Sequence, residues 1–283
     1  MPLSAIGLLF VSAILHTTWN LFLKRSGEKY VAVWWAAVIG AGLFLPVLFF
    51  TGFPAREIWP LLILSVLLEA AYYVVLSAGY NDSDFSLIYP IGRGTAPAFI
   101  ALWSVLFLRE TLTVGGVIGL IVIILGLLIV GGASLIRSLG IPPLRGIRLA
   151  LFLALLISIY SVVDGMAVKR TAALPYTIMI FFLLPVFTAP LIFRHYGWSS
   201  LKTELKLHFW TLLAIGVLTI AAYSLALWAY SISLLGYAGA IREISVVMAA
   251  FAGWQFLQEK LGGWRVIGAV VIFAGILVIA LFG

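Results

Sequence analysis

Two arginines interrupt strongly apolar stretches of this chain and stand 149 residues apart. Arg93 and Arg242 occupy equivalent places in two apolar segments, and a guanidinium keeps its charge at every working pH. Because a charge is costly in hydrocarbon, an arginine inside a membrane-spanning segment must face protein or a water-filled cavity. The sequence therefore predicts a polar cavity enclosed by apolar helices.

Three acidic residues also lie inside apolar segments, namely Glu69, Asp164 and Glu243. A lone carboxyl group in an apolar site can carry a proton. Glu69 has no acidic counterpart in the second half of the chain, where the matched residue is Ile220. This asymmetry argues against a structural role that both repeats would share. The alternative to a role in transport is that the charged residues form buried ion pairs that only fix the packing of the helices.

Aromatic rings accompany the charges deep in the apolar segments. These rings are Trp19, Tyr72, Tyr73, Tyr89, Trp103, Tyr160, Tyr223 and Trp228. Rings can stack on a flat apolar group while arginine binds a carboxylate, so the pattern suits an amphipathic, partly flat solute. For any single ring, packing against neighbouring helices is the alternative. His16 and Asn20 add polar groups beside Trp19.

Counting from the segment ends at about 1.5 Å per residue predicts two polar layers, one near each membrane face. The first layer contains His16, Asn20, Glu69 and Arg93, and the second contains Asp164, Arg242 and Glu243.

The composition excludes a soluble domain. The 283 residues are 64% hydrophobic and 10% charged, with a mean hydropathy of +1.20, whereas about a quarter of the residues in soluble domains are charged. The net charge of +7 does not indicate nucleic-acid binding, because the basic residues stand singly or in pairs between apolar segments. The lipid bilayer is thus the expected environment of an all-α integral membrane protein.

Ten apolar segments of about 20 residues are predicted to cross the membrane. Their ranges are 3–23, 31–52, 58–79, 86–108, 113–135, 147–168, 175–195, 209–231, 236–257 and 263–282. The 149-residue step divides them into two five-helix repeats, residues 1–137 and 145–283. Because five is odd, the second repeat must enter the membrane in the opposite sense, which gives inverted repeats and favours alternating access.

Glycine and proline positions suggest how the segments pack and move. Gly119 and Gly126 match Gly268 and Gly275, and such glycines allow close helix packing, either within the chain or with a second subunit. The protein is therefore expected to be a monomer or a homodimer. Pro90 and Pro97 flank Arg93 and should loosen its helix, as a gate requires.

The loops predict the orientation in the membrane. Of the 17 lysines and arginines, 11 belong to the connections and segment ends on one side and 4 to those on the other, with Arg93 and Arg242 deep inside segments. The positive-inside rule places the richer side in the cytoplasm and both termini outside it.

Short motifs connect the sequence with a known family. They are Leu-Arg-Glu-Thr-Leu-Thr at 108–113, Leu-Gln-Glu-Lys-Leu-Gly at 257–262, and the stretch from His16 to Ser26 with Trp19, Asn20 and Lys24. The chain resembles the EamA repeat of the drug/metabolite transporter superfamily. That resemblance implies a carrier of amino acids, drugs or other metabolites, and its distant relatives exchange nucleotide sugars and sugar phosphates.

The sequence thus predicts a multi-pass secondary carrier of the bacterial inner membrane that exports small amphipathic metabolites, foremost hydrophobic or aromatic amino acids. An exchanger of phosphorylated sugars or nucleotide sugars and a multidrug efflux carrier are the alternatives. An enzyme is not expected, because no nucleophile–base, metal-binding, cofactor or ATP-binding motif is present. Protons are the expected coupling ion.

The predicted residues fall into two groups. The substrate-binding residues are His16, Trp19, Asn20, Tyr72, Tyr73, Tyr89, Arg93, Trp103, Tyr160, Tyr223, Trp228 and Arg242. The coupling and gating residues are Glu69, Asp164, Glu243, Pro90 and Pro97.

Overall fold

A computed structural model of the chain describes residues 1–24, 26–82, 85–137, 144–257 and 263–283. Within the helices it leaves out the side chains of residues 76–82, 85–91, 93, 131–137, 144, 145, 250, 253, 254, 256, 257 and 265. The described backbone is helical throughout apart from short connections, and it contains no strand. This agrees with the all-α class expected from the continuous apolar segments.

The helices follow the predicted segments closely. Their bounds are α1 Leu3–Lys24, α2 Lys29–Phe44, α3 Leu48–Thr51, α4 Trp59–Asp82, α5 Phe85–Leu108, α6 Val114–Arg137, α7 Leu144–Val168, α8 Ala173–Ile232, α9 Leu235–Arg242, α10 Ile244–Leu257 and α11 Gly263–Phe282. Two single turns, Leu45–Val47 and Arg56–Ile58, lie beside α3 and before α4.

Five stretches of the described chain are long and apolar enough to cross a membrane. They are Leu3–Lys24, Lys29–Thr51, Arg56–Val75, Gly146–Val168 and Ala173–Ile232. Shorter apolar helical stretches cover Gly94–Leu108, Val114–Val130 and Val266–Phe282. Many large apolar side chains point outward, as they would towards lipid; Phe50, for example, is 90% exposed.

Helix α8 contains two of the predicted segments. Its backbone leaves the helical region at Gly197 (φ 72°, ψ 161°) and at His208 (φ −124°, ψ 17°). The positive φ at residue 197 is one that glycine adopts without strain. Residues 173–196 therefore form a first arm, residues 209–232 form a second arm, and the polar segment 198–207 connects them.

The predicted segment 236–257 is divided into two helices. Helix α9 ends at Arg242, and Glu243 (φ −71°, ψ −2°) separates it from α10. A break in a helix at membrane depth is tolerated where it lines a cavity or is buried in protein. The charged pair Arg242–Glu243 thus lies where the helix is interrupted, which the apolar pattern of the sequence did not reveal.

Equivalent helices of the two repeats, α6 and α11, pack directly against each other. A Cβ at Gly119 would lie 2.8 Å from the carbonyl oxygen of Gly275, and a Cβ at Gly126 would lie 2.9 Å from that of Gly268. The earlier residue of one helix meets the later residue of the other, so the two helices run antiparallel. Their packing is the arrangement that inverted repeats require, and the glycines serve contact within the chain.

Candidate functional site

A cavity of about 130 Å³ lies among α1, α2, α4, α7, α8 and α9. Its wall combines charged, aromatic and small side chains. They include His16 and Trp19 of α1, Ala37 of α2, Glu69, Tyr72 and Tyr73 of α4, Tyr160 of α7, Gly216 and Tyr223 of α8, and Arg242 of α9. We call this space the polar cavity.

Two carboxyl groups meet at one tyrosine beside the polar cavity. The Tyr223 hydroxyl lies 3.1 Å from Glu69 Oε1 and also contacts Asp164 Oδ2. The Tyr176 hydroxyl donates a hydrogen bond of 2.8 Å to Asp164 Oδ1. Glu69 is 7% exposed and Asp164 is fully buried. Helices α4, α7 and both arms of α8 therefore contribute to one hydrogen-bonded group, which we call the carboxyl cluster.

Arg242 presents its charge to the same cavity. Its Nη1 donates to the Tyr230 hydroxyl at 3.3 Å, and its Cζ lies 5.1 Å from the centre of the Tyr223 ring. Among the described residues, no carboxylate lies within 4.0 Å of this guanidinium. The ion pair that those residues do form joins Lys169 with Glu110 and does not involve Arg242. Most N–H donors of Arg242 thus remain available for a bound group.

Helix α9, which carries Arg242, is fixed at its start by a buried carboxylate. Glu110 accepts hydrogen bonds from the backbone N–H groups of Leu235 at 2.8 Å and Gly236 at 3.1 Å. These are N–H groups that a helix start leaves without partners, and a negative charge there also suits the helix dipole. Lys169 binds the same carboxylate at 3.2 Å. Glu110 therefore acts on the site indirectly, by holding α9 in place.

A second, mainly apolar space of about 220 Å³ adjoins the polar cavity. We call it the side chamber. Four residues line both spaces, and we call this shared wall the neck: Val33, Ala37, Tyr73 and Leu184. The chamber extends along Trp34 and Pro185 to His195 and Tyr196 at the end of the first arm of α8. The basic residue Arg194 stands at that end, so the chamber approaches the lysine- and arginine-rich face.

Three tyrosines lie towards the opposite face of the bundle. Tyr176, Tyr230 and Tyr237 are fully buried, and they belong to helix ends that lie at the face opposite the side chamber. The Tyr237 hydroxyl accepts a hydrogen bond of 2.8 Å from the backbone N–H of Thr113. Tyr176 and Tyr230 reach the site from that face through their contacts with Asp164 and Arg242.

Comparison with known proteins identifies the fold. The model of the EamA-like transporter family matches residues 3–132 and 144–281, which is one match for each half of the chain. The chain belongs to the EamA-like transporter family. Members of this family are transporters rather than enzymes, and this EamA-like transporter is accordingly a multi-pass membrane protein of the drug/metabolite transporter superfamily.

The crystal structure of another protein resembles the EamA-like transporter over nearly its whole length. The TM-score is 0.78 at 18% sequence identity, and the match covers 99% of this chain and 98% of the other. At this identity the likeness concerns the fold alone. A search of curated proteins found no match.

Eight of the predicted site residues lie on the wall of the polar cavity. They are His16, Trp19, Glu69, Tyr72, Tyr73, Tyr160, Tyr223 and Arg242. The indole N–H of Trp19 is buried without a hydrogen-bond partner among the described residues, so it can donate to a solute. Their roles in binding and coupling stay predictions.

The prediction of two separate polar layers is wrong. Glu69 was placed in one layer and Asp164 in the other, yet both contact the hydroxyl of Tyr223. The depth of each residue was estimated by counting along its helix, which assumes that every helix stands perpendicular to the membrane. That estimate also ignores the length of the Tyr223 side chain, which reaches both carboxyl groups. The carboxyl cluster is therefore one unit near the middle of the transporter.

Two of the predicted binding rings lie away from the cavity. Trp228 is 54% exposed on the outside of the bundle, because it follows Tyr223 by five residues, which turns it about 140° around the helix. Trp103 packs between α5 and α7, where its indole N–H donates to Ser158 Oγ at 3.0 Å. Neither ring is among the residues that line the polar cavity, and their predicted roles in binding stay untested.

The other predicted site residues make contacts away from the polar cavity, or their side chains lie outside the part of the chain that the structure describes. The Asn20 amide donates to the backbone oxygen of His16 at 2.7 Å, so it serves its own helix. Glu243 is buried in the break between α9 and α10, and Pro97 is buried in a helix that continues through it. The side chains of Tyr89, Pro90 and Arg93 lie outside the described residues.

Sequence reasoning missed Tyr176 and Tyr230, which bind Asp164 and Arg242. Neither stands near its partner in the chain, since each pair is 12 residues apart in sequence and joins two different helices. No spacing within one helix could have indicated these contacts. The general rule that a buried tyrosine hydroxyl needs a partner was the available signal.

Proposed function

We propose that this EamA-like transporter is a secondary active exporter of small amphipathic metabolites, and that hydrophobic and aromatic amino acids are its preferred solutes. We place it in the inner membrane, with the lysine- and arginine-rich face in the cytoplasm and protons as the coupling ion. The observation that carries the proposal is the polar cavity with an apolar side chamber beside it.

Each part of an amino acid has a matching surface. Arg242 offers N–H donors to the α-carboxylate, and the carboxyl cluster offers oxygen acceptors to the α-ammonium group. The two charges of opposite sign lie around the same ring, that of Tyr223. A hydrophobic side chain can then pass the neck and lie in the side chamber, against Trp34 and Tyr73.

An exchanger of phosphorylated sugars is less well supported by this wall. A phosphate dianion is best held by two or more cationic groups at one place. Arg242 is the one arginine or lysine among the described residues that line the polar cavity. The two carboxyl groups beside it would repel a phosphate. A multidrug carrier shares the apolar chamber, but it would not need a guanidinium aimed at a carboxylate.

The fold supports transport by alternating access. Antiparallel packing of α6 and α11 is the arrangement of inverted repeats, in which two halves rock around a shared site. The side chamber lies towards the basic face, whereas Tyr176, Tyr230 and Tyr237 lie towards the opposite face. Export would require these rings to separate while the neck closes.

Counterflow in proteoliposomes tests the proposal. Vesicles containing the purified protein are loaded with one unlabelled solute, which is phenylalanine, leucine, alanine, glucose 6-phosphate or an uncharged drug, and are diluted into a trace of the same solute in labelled form. We expect rapid exchange of phenylalanine and leucine, slower exchange of alanine and none of the sugar phosphate. Exchange of the sugar phosphate alone would support the anion exchanger, and equal exchange of amino acids and uncharged drugs would support the multidrug carrier.

A further inference from the structure

We propose that Glu69 and Asp164 share one proton through the hydroxyl of Tyr223, and that the ammonium group of the solute replaces this proton when it binds. The inference rests on the proposed export of amino acids and deepens it. It assigns proton coupling to a three-residue unit rather than to Glu69 alone, and it sets the exchange at one proton for each solute.

The argument begins with a count of hydrogens. The Tyr223 hydroxyl contacts Glu69 Oε1 at 3.1 Å and Asp164 Oδ2 at once. A phenol carries one hydrogen, so it can donate to one of these oxygens only. The second contact is a hydrogen bond only if a carboxyl group is itself protonated and donates to the phenol oxygen. The geometry thus calls for one proton on the pair of carboxyl groups.

The position of the neighbours places that proton on Glu69. Asp164 already accepts a hydrogen bond from Tyr176 at 2.8 Å, in addition to its contact with Tyr223. Two donors favour the ionised form of a carboxyl group. Glu69 has the Tyr223 hydroxyl as its hydrogen-bond partner among the described residues. Tyr223 therefore donates to Asp164, and protonated Glu69 donates to the oxygen of Tyr223.

The remaining groups around Glu69 set the balance of charge. Arg242 and Asp164 face it from α9 and α7, Tyr72 and Tyr73 lie on its own helix, and His16 stands across the cavity on α1. With the proton bound, the cluster contains one negative charge on Asp164 and one positive charge on Arg242. Without it, the carboxylates of Glu69 and Asp164 face one guanidinium among the described residues, that of Arg242.

A solute ammonium can supply the missing donor. When Glu69 loses its proton, two carboxylates compete for the single hydrogen of Tyr223, and one of them is left without a partner. An ammonium group carries three N–H donors and a positive charge. It can thus occupy the place of the proton while the solute carboxylate binds Arg242. The proton passes from the Glu69 oxygen to water as the N–H···O bond forms, so proton and solute exclude each other.

Mutual exclusion on one site is the condition for exchange of a proton against a solute. One neutral zwitterion leaves for each proton that enters, so the exchange moves one positive charge inward in each cycle. A membrane potential that is negative inside therefore assists export, together with the inward proton gradient.

The release of protons on binding tests the inference without any transport. Purified protein in weakly buffered detergent solution at neutral pH receives phenylalanine, while a pH indicator reports protons and calorimetry reports binding. We expect one proton released for each solute bound. Phenethylamine, which keeps the ammonium group, should also release a proton. Phenylpropionate, which lacks it, should release none.

Three variants locate the proton. Glu69→Gln should bind phenylalanine with no release of protons. Tyr223→Phe should release less than half of the wild-type number, because the shared hydrogen bond is gone. Tyr237→Phe is the matched control, since it removes a buried tyrosine hydroxyl whose hydrogen bond goes to Thr113 and to neither carboxyl group, and it should release the wild-type number of protons. The thermal midpoint of each variant shows that it is folded.

Two outcomes separate this inference from the proposed function. Phenylalanine that binds the wild-type protein without release of protons would overturn the shared proton and leave export of amino acids standing. The absence of binding by any amino acid would remove the proposed function and this inference with it.

Discussion

Replacing Arg242 should remove selectivity for a carboxylate while leaving the rest of the solute recognised. The guanidinium has five N–H donors, and the described residues engage one of them, through Tyr230 at 3.3 Å. A solute carboxylate can therefore accept two parallel hydrogen bonds. A hydrogen bond to a charged group contributes about 1.5–3 kcal/mol. Because the two bonds are lost together and water replaces them in part, we expect Arg242→Gln to cost about 3 kcal/mol, or roughly a hundredfold.

The assay compares two solutes that differ only in this group. Transport efficiency is measured for phenylalanine and for phenethylamine, its analogue without the carboxylate, in proteoliposomes with each variant. The ratio of the two efficiencies should fall by about a hundredfold in Arg242→Gln. Arg242→Lys should give an intermediate ratio, since lysine keeps the charge but not the two-pronged geometry. Arg194→Gln, at an exposed arginine of the basic face, is the control for net charge.

An equal loss for both solutes would refute the reasoning, because it would mean that Arg242 only supports the structure around Tyr223 and Tyr230. An unchanged ratio would assign the carboxylate to another cation, of which Arg93 is the sequence-based candidate.

Three further predictions concern aromatic contacts, the neck and helix packing. Trp19→Ala should weaken phenylalanine transport by about 1–2 kcal/mol, or roughly five- to thirtyfold, whereas Trp228→Ala on the outer surface should leave uptake unchanged; equal effects would place the solute elsewhere. Ala37→Phe should block the neck, so that phenylalanine transport falls well below that of alanine in a paired uptake assay; an unchanged ratio would exclude the side chamber. Gly119→Ala should lower the free energy of unfolding by about 1–3 kcal/mol, seen as a lower thermal midpoint. Gly7→Ala is the control and should not lower it, because a Cβ there meets no atom within 4 Å; equal midpoints for the two variants would contradict close packing of α6 and α11.

The repeat and the helices could be predicted from the sequence because both depend on short-range patterns. An apolar run of about 20 residues bounded by Gly, Pro or charge marks a helix that must satisfy its backbone in lipid. The match of Gly119 and Gly126 with Gly268 and Gly275 likewise indicated the repeat and a site of close packing. These features need no knowledge of how the helices are arranged.

The site could be predicted only in part because it depends on where different helices meet. The choice of Glu69, Asp164 and Arg242 followed from the cost of charge in hydrocarbon. Their convergence on Tyr223 depends on the tilt of the helices and on the length of the tyrosine side chain. Neither can be obtained by counting residues along the sequence. The break of the helix at Glu243 was hidden because residues 240–247 contain neither proline nor glycine, the residues that usually mark an interrupted helix.

The most direct test of the account is accumulation of phenylalanine driven by a pH gradient in proteoliposomes of the purified protein. Vesicles with an acidic interior are placed in an alkaline medium that contains labelled phenylalanine, so that protons leave as the solute enters. The account predicts transient accumulation above the external concentration, which disappears at equal pH and in Glu69→Gln. Accumulation that requires an acidic exterior, or that is the same with and without a gradient, would contradict proton–solute exchange at the carboxyl cluster.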